Sequence, residues 1–387
     1  MLILNANILT MEKHNYSNGY LHIQDGLIQA VGDMQSLTIE DAETLDVQGA
    51  TVIPGLIDAH SHLGMWEDGL GFEGDDGNEE TDPVTPQMRA IDAVNPADRC
   101  FTEALQAGIT TVLTGPGSAN PISGVWCAMK TYGRRIDDML LQEQAGMKFS
   151  LGENPKSVYN GKNETPMTRM ATAALIREQL EKARRYMQDV KRAKKEHEDP
   201  PEYDIKCEAL IPVLKRKMKA FFHAHRADDI FTAIRIAKEF ELDYVIVHGT
   251  EGYQIADILA AEQARVIAGP ILCDRSKPEL RNLNIENPAI LAAHGVTTAI
   301  CTDHPVIPIQ YLPLTGGIAV RAGLDADKAL AMMTSVPAKI CGIDKRVGSI
   351  KPGKDADLLI YRGDLLNVYF KPDYVLINGE IVVNNKK

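Results

Sequence analysis

The chain has 387 residues, a net charge of −12 at pH 7, and 44% hydrophobic against 24% charged residues. That length fits one large barrel-sized unit with a smaller companion, and the residue balance is that of an ordinary globular protein. The acidic surplus argues against non-specific nucleic-acid binding, which needs a basic surface.

The opening stretch Met1–Thr10 is apolar but has no basic leader and no small-residue cleavage site. No apolar run reaches the length of a membrane-spanning helix. The six cysteines are scattered without a C-x-x-C pair, as in reduced thiols of a cytoplasmic protein. The expected setting is cytoplasmic, with no membrane or nucleic-acid partner.

The first fifty residues read as strands. Tyr20–Val31 predicts a hairpin turning at Asp25-Gly26, and Glu43–Ile53 continues the alternation. The far end has the same character: an apolar strand at Asp357–Tyr361 and a hairpin over Tyr374–Val383 turning at Asn378-Gly379. Both termini therefore build one small β-sandwich domain, 1–52 with 346–387, into which residues 53–345 are inserted.

From Thr51 onward, apolar strands alternate with amphipathic helices, the signature of βα units and a parallel sheet. The candidate strands are Thr51–Ala59, Ile109–Thr114, Gly124–Thr131, Met147–Gly152, Lys219–His223, Tyr244–Val247, Arg265–Ala268 and Val296–Cys301. Eight strands are what a (β/α)8 TIM-like barrel needs. Between them, Asn95-Pro96 starts a helix that Gly108 ends, and Asp228–Phe240 carries Ile230, Ala233, Ile234 and Ala237 on one face. The charged helix at Thr168–Glu198 is longer than a barrel requires; it reads as a surface helix or a contact in a homo-oligomer. Met65–Asp92 is a long acidic segment directly after the first barrel strand, either a lid or a solvated loop.

His60-Ser61-His62 closes the apolar run Val52–Ala59. On a strand, residues two apart share a face, so both imidazoles point the same way, and imidazole is the commonest metal ligand. One such pair is weak evidence. Later apolar strands, however, also end in ligand-type residues: His223 after Phe221-Phe222, His248 after Val245-Ile246-Val247, and Asp303 after Ile300-Cys301-Thr302. In a barrel all these strand ends meet at one mouth.

Two segments carry a resemblance. Pro54-Gly55-Leu56-Ile57-Asp58-Ala59-His60-Ser61-His62 resembles the P-G-(h)-(h)-D-x-H-x-H segment of the amidohydrolase superfamily, where h is an apolar residue. Gly348-Ser349-Ile350-Lys351-Pro352-Gly353-Lys354-Asp355-Ala356-Asp357-Leu358 resembles its G-x-I-x-x-G-x-x-A-D-(h) segment. The two bracket nearly the whole chain, and the nearest likeness is to imidazolonepropionase-like members. The resemblance implies a site holding one or two divalent metal ions, zinc first, with manganese, iron or nickel as alternatives. His60 and His62 would bind one ion, His223 and His248 the other or the single one, and Asp303 would be ligand and general acid/base. The bridging ligand would be either a carboxylated Lys148 or Glu153. The implied activity is hydrolysis of a C–N bond in a small molecule (a cyclic amide, an N-acyl amino acid or a dipeptide). A bound ion would bring its water's pKa toward about 7, and the carboxylate would move protons.

His225, Arg226, His304, Lys156 and Tyr159 are candidate substrate contacts, each equally readable as local packing. Two other functions compete. A mononuclear deaminase of a heterocyclic amine would keep the fold, but such members carry a Glu shortly after the fifth-strand histidine, and His223-Ala224-His225-Arg226-Ala227-Asp228 has none. A non-catalytic scaffold would have lost ligands that this chain keeps. No Gly-rich nucleotide loop and no serine nucleophile elbow is present.

Overall fold

The computed structural model describes residues 1–39 and 43–386. Five strands lead the chain: β1 (Leu2–Ile8), β2 (Tyr16–Gln24), β3 (Leu27–Asp33), β4 (Thr44–Asp46) and β5 (Thr51–Pro54). Eight follow through the middle: β6 (Leu56–Ser61), β7 (Ile109–Thr114), β8 (Ile122–Lys130), β9 (Leu140–Ser150), β10 (Lys219–Ala224), β11 (Tyr244–His248), β12 (Arg265–Ala268) and β13 (Thr297–Ile300). Three finish it: β14 (Leu358–Tyr361), β15 (Tyr374–Ile377) and β16 (Glu380–Asn384).

The terminal strands join into one sheet, ordered β16-β15-β14-β5-β1-β2-β3, with β4 also pairing to β1. Both foreseen hairpins are present. Asp25 and Gly26 have φ of 52° and 78°, and Asn378 and Gly379 have φ of 50° and 74°. Two consecutive positive-φ residues are what a two-residue turn needs to match strand twist.

The apolar run Thr51–Ala59 is two strands rather than one. β5 pairs with β1 and β14 in the terminal sheet, and β6 pairs with β7 in the barrel. The break falls at Gly55, where any Cβ would come within 2.1 Å of the Thr110 hydroxyl. Only glycine lets the chain cross there from one sheet to the other.

The middle strands follow each other around a second sheet in sequence order, β6 through β13. Their residues are buried on both faces along β6, β7 and β8, as expected where side chains fill the interior and helices cover the outside. The interior is packed by Ile57, Leu113, Trp126, Phe221, Val247 and Ile267. Between β6 and β13 the circle is nearly closed. Asp303 N donates to His60 O at 3.1 Å and His62 N to His304 O at 2.9 Å, while Ile300 N and Ile57 N bond to the carbonyls of Met332 and Met333.

One strand departs from an all-parallel barrel: β8 runs antiparallel to both neighbours. The link Gly115–Pro121 is shorter than the crossover of about a dozen residues that a parallel return requires, so the chain doubles back. β8 therefore begins at the mouth where its neighbours end. A smaller correction concerns the helix before β7. It spans Arg99–Gln106, and its cap is Asp98, which accepts from Cys100 N at 2.9 Å. Asn95 instead forms a preceding turn through Ala97 N.

The long charged helix spans Arg169–Glu196, capped by Thr168, and buries Ala173, Ile176, Leu180 and Ala183 on one side. No helix of the described residues is long and apolar enough to cross a membrane.

Candidate metal centre

Two histidine sets face each other at the strand ends. His60, His62 and Asp303 offer ligand atoms within 4.8 Å of one another, and so do His223, His225 and His248. In the first set Asp303 Oδ1 lies 3.0 Å from His60 Nε2 and 3.4 Å from His62 Nε2. Strand alternation explains both pairs, since residues two apart at the end of β6 or β10 project to the same side.

The rings are held from behind. His62 Nδ1 bonds Gly115 O at 2.6 Å, His248 Nδ1 bonds Gly269 O at 2.7 Å, His223 Nδ1 meets Ser118 Oγ at 2.9 Å, and His225 Nδ1 meets Thr250 Oγ1 at 2.7 Å. Such outer bonds fix ring orientation and leave Nε2 for a ligand. His60 has no such bond; it stacks on Trp126, with centroids 4.4 Å apart and planes at 20°. Trp126 is fixed through Nε1 to Pro116 O at 3.0 Å. Gly115 is required beside it, because a Cβ there would lie 1.9 Å from the indole.

Several buried polar atoms at this place have no hydrogen-bond partner: both ring nitrogens of His60, His223 Nε2 and Lys148 Nζ. Unpaired buried polar groups are costly and call for an explanation. Lys148 is fully buried, with Nζ 4.7 Å from the centre of the Trp126 ring. Burial pulls its ammonium down to about 7, with Asp303 and Cys301 opposing and Lys277 adding to the fall. Burial likewise holds His60, His223, His225 and His248 well below the usual imidazole value, helped by the positive neighbours around each. Burial works against ionisation of Asp303, yet His248, His62 and Lys148 outweigh it and keep its carboxyl below the ordinary range. Neutral imidazoles beside an ionised carboxylate are the forms that bind divalent ions. The residues present fit such an ion.

Above these sets opens a cavity of about 930 Å³. His62, His223, Asp303 and His304 reach its floor, and Trp66, Glu67, Asp68 and Asp75 of the acidic segment wall it. That segment is laid along β8 by bonds from Thr85 N to Ile122 O and Val125 N to Met88 O. His304 is buried and accepts from Ile309 N through Nδ1 at 3.2 Å; burial brings its ring down to about 4.

The remaining candidates lie elsewhere. Glu153, Lys156 and Arg226 line a separate side cavity of about 400 Å³. Glu153 Oε2 accepts from Glu279 N at 3.1 Å, and Arg226 forks onto Asp228 at 2.9 and 2.7 Å. Tyr159 is buried and donates to Asn120 Oδ1 at 2.6 Å. The helix Glu153–Gly161 begins as soon as β9 ends and carries Glu153, Lys156 and Tyr159 away from the strand ends, and Arg226 caps the helix Ala227–Glu239 that follows β10. His225, taken as a candidate substrate contact, stands beside His223 and His248 within the second histidine set. Sequence reasoning also missed Glu279, Trp126, Ser118 and Lys277. The repeat of His60-Ser61-His62 by His223-Ala224-His225 was a signal for His225; Glu279 and Lys277 sit in the irregular segment after β12, where no periodicity marks them.

A nearly closed eight-stranded sheet with histidines and a carboxylate gathered at its strand ends places the chain among the TIM-like barrels with a candidate metal site at the mouth. The chain belongs to the amidohydrolase family, whose model matches residues 51–382. It is 30% identical over 388 residues to "Amidohydrolase tasK" of Hapsidospora irregularis, covering 93% of this chain but 39% of that protein. It is 24% identical over 423 residues to the imidazolonepropionase of Geobacillus kaustophilus, covering 96% and 91% of the two chains. The crystal structure of an amidohydrolase from Thermotoga maritima MSB8 is 41% identical and superimposes with a TM-score of 0.96 over 99% of both chains. Members of the superfamily are hydrolases and deaminases that use divalent metals.

Proposed function

We propose that this protein is a metal-dependent hydrolase that cleaves the C–N bond of a small amide or cyclic amide. The observation that carries the reading is the clustering at the strand ends of unpaired, buried polar atoms of His60, His223 and Lys148, beside a large cavity that His62, His223 and Asp303 line. In this reading His60, His62 and Asp303 would hold one divalent ion, zinc first, and His223 and His248 would hold a second. Lys148, if carboxylated, would be a ligand to both; its Nζ is buried and unpaired beside Trp126, whereas Glu153 lines the side cavity. The domain division at 52/53 and 345/346, the cytoplasmic setting and a homo-oligomer through the long helix belong to the same reading.

A divalent metal held there would supply an activated water and polarise the bond under attack. The chain does the rest. Asp303, ionised and within 3.0–3.4 Å of both first-set histidines, takes the proton of the attacking oxygen and passes it to the departing nitrogen. Trp126 and the packed interior below it exclude water from behind. Trp66, edge-on to His62 at 4.6 Å, walls the entrance. The test is elemental analysis of protein purified without chelator, followed by a hydrolysis screen over cyclic amides, N-acyl amino acids and dipeptides. Bound metal with amide turnover supports the reading; ammonia release from aminated heterocycles alone would replace it with deamination. Protein without metal, unresponsive to added zinc, would sink it.

A further inference from the structure

A buried carboxylate with no place in the chemistry joins the two parts of the chain that carry His60, His62 and Asp303. Asp58 stands two residues before His60 on β6 and is fully buried. Its Oδ1 accepts from His60 N at 3.1 Å. Its Oδ2 reaches the segment after β13, where it accepts from Thr302 N at 3.1 Å and from Thr302 Oγ1 at 2.5 Å. One carboxylate thus grips both elements.

Thr302, itself fully buried, carries the grip past Asp303. Its hydroxyl donates to Asp58 and accepts from His304 N at 3.1 Å. Asp303 N donates to His60 O at 3.1 Å, and His62 N to His304 O at 2.9 Å. The amides of Thr302, Asp303 and His304 are therefore all bonded, two of them through the Asp58–Thr302 pair.

The residue held between them has an unusual backbone. Asp303 has a φ of 56°. A left-handed conformation is uncommon outside glycine and persists where its surroundings over-determine it. With the chain so held, Asp303 Oδ1 stands 3.0 Å from His60 Nε2 and 3.4 Å from His62 Nε2. Joining the two elements does not need the Thr302 hydroxyl, because Thr302 N and Asp303 N already do so through backbone donors. What the hydroxyl adds is the link to His304 N, on the far side of Asp303.

We infer that Asp58 and Thr302 are positioning residues: a clasp that presets Asp303 against His60 and His62, so that Thr302 tunes metal affinity without being a ligand. The inference rests on the metal-dependent reading above and adds to it the residues that hold its carboxylate in place. Bonds that orient a ligand from behind are worth about 10–100-fold in metal affinity, and the clasp acts in that way through the backbone of Asp303.

The experiment is cobalt(II) titration of chelator-stripped protein, reading affinity and the visible spectrum of the bound ion, with thermal melts of the metal-free proteins alongside. Thr302→Val keeps the shape and the backbone donor but removes the hydroxyl; Thr302→Ser keeps the hydroxyl. The control is Thr131→Val. Thr131 is buried and donates through Oγ1 to Ile109 O at 2.8 Å, beyond the end of β8 that lies away from the mouth. The inference expects Thr302→Val to weaken cobalt binding at least tenfold and to change the spectrum. Thr302→Ser should restore both, and Thr131→Val should lower the melting temperature with affinity and spectrum unchanged. Wild-type affinity and spectrum in Thr302→Val would overturn the inference while leaving the metal-dependent reading intact, as would a Thr302→Ser no better than Thr302→Val. Should Thr302→Val fail to fold, Asp58→Asn decides: it keeps the size of the side chain but replaces one accepting oxygen by an amino group, and wild-type affinity in that variant would overturn the inference. A wild type that takes up no cobalt overturns both readings.

Discussion

Lys130 and Asp357 are 227 residues apart in the chain, and Lys130 Nζ lies 2.9 Å from Asp357 Oδ1. The same ammonium reaches Asp355 Oδ2 at 2.6 Å and the Asn378 side chain. All of these except Asn378 are buried, and together they tie the end of β8 in the barrel to the strands after the inserted unit. The Asp357 of the tail motif is thus a docking residue. Burial raises its carboxyl, against the pull of Lys130 and the Asn378 backbone. Lys130→Met leaves the buried Asp357 carboxylate without a cation, while Asp355 keeps Arg346 at 2.7 Å, so we expect a loss of about 3–5 kcal/mol at neutral pH. A carboxyl raised by the fold contributes most below its unfolded value near ~3.9 and loses that contribution as pH rises through its folded value. Removing Lys130 raises it further. The deficit of the variant should therefore be small in acid and grow as pH climbs through the carboxyl range. Urea melts of both proteins at several pH values measure this; a deficit independent of pH would assign the loss to packing.

Lys148 offers a second test. Its amine, brought down to about 7, is largely uncharged in mildly basic buffer, and only the uncharged amine adds carbon dioxide, releasing one proton and leaving a carbamate. Lys148→Met should lower metal uptake, and wild type reconstituted in bicarbonate-free buffer should show the same deficit. In metal-free protein the sign reverses, because a buried ammonium costs stability. The folded value lies below the unfolded one near ~10.4, so wild-type stability should rise as pH goes from about 7 toward that value. The methionine variant should lack that rise. A parallel pH dependence in the two proteins would mean that Lys148 is not the titrating group.

Much of this site could be read from the chain, for reasons of local geometry. The His60-Ser61-His62 pair follows from strand alternation, and His223, His248 and Asp303 follow from their places after apolar runs. The two positive-φ hairpins were visible in Asp25-Gly26 and Asn378-Gly379. What stayed hidden depends on the fold in three dimensions. Alternation in Ile122–Lys130 shows a strand but not its direction, which the short Gly115–Pro121 link decides. Glu279 reaches His223 only because the segment after β12 folds back over the strand ends. Lys156 and Arg226 look like pocket cations in sequence, yet their helices turn them into the side cavity.

Asp303 is expected to separate chemistry from structure. Asp303→Asn keeps the size of the side chain and its place near His60 and His62 but removes the proton acceptor. Turnover should fall by about 10²–10⁴, with the thermal midpoint of the metal-loaded protein close to wild type. Wild-type turnover in this variant would show that another group moves the proton.

Ser118 tests whether the outer bonds on the histidines matter. It comes from the short link that turns the chain back into β8, and its Oγ meets His223 Nδ1 at 2.9 Å. Its hydroxyl contributes little burial, so Ser118→Ala should alter stability by less than about 1 kcal/mol. The imidazole, however, loses the partner that fixes its tautomer and orientation, and such losses typically weaken metal binding by about 10–100-fold. Zinc affinity measured by competition with a chromophoric chelator gives the answer. A drop in affinity without a drop in stability would show that β8 runs backward to functional effect, since its reversal is what brings Ser118 to the mouth beside His223. Unchanged affinity would mean that His223 is held by packing alone and that the serine is a bystander.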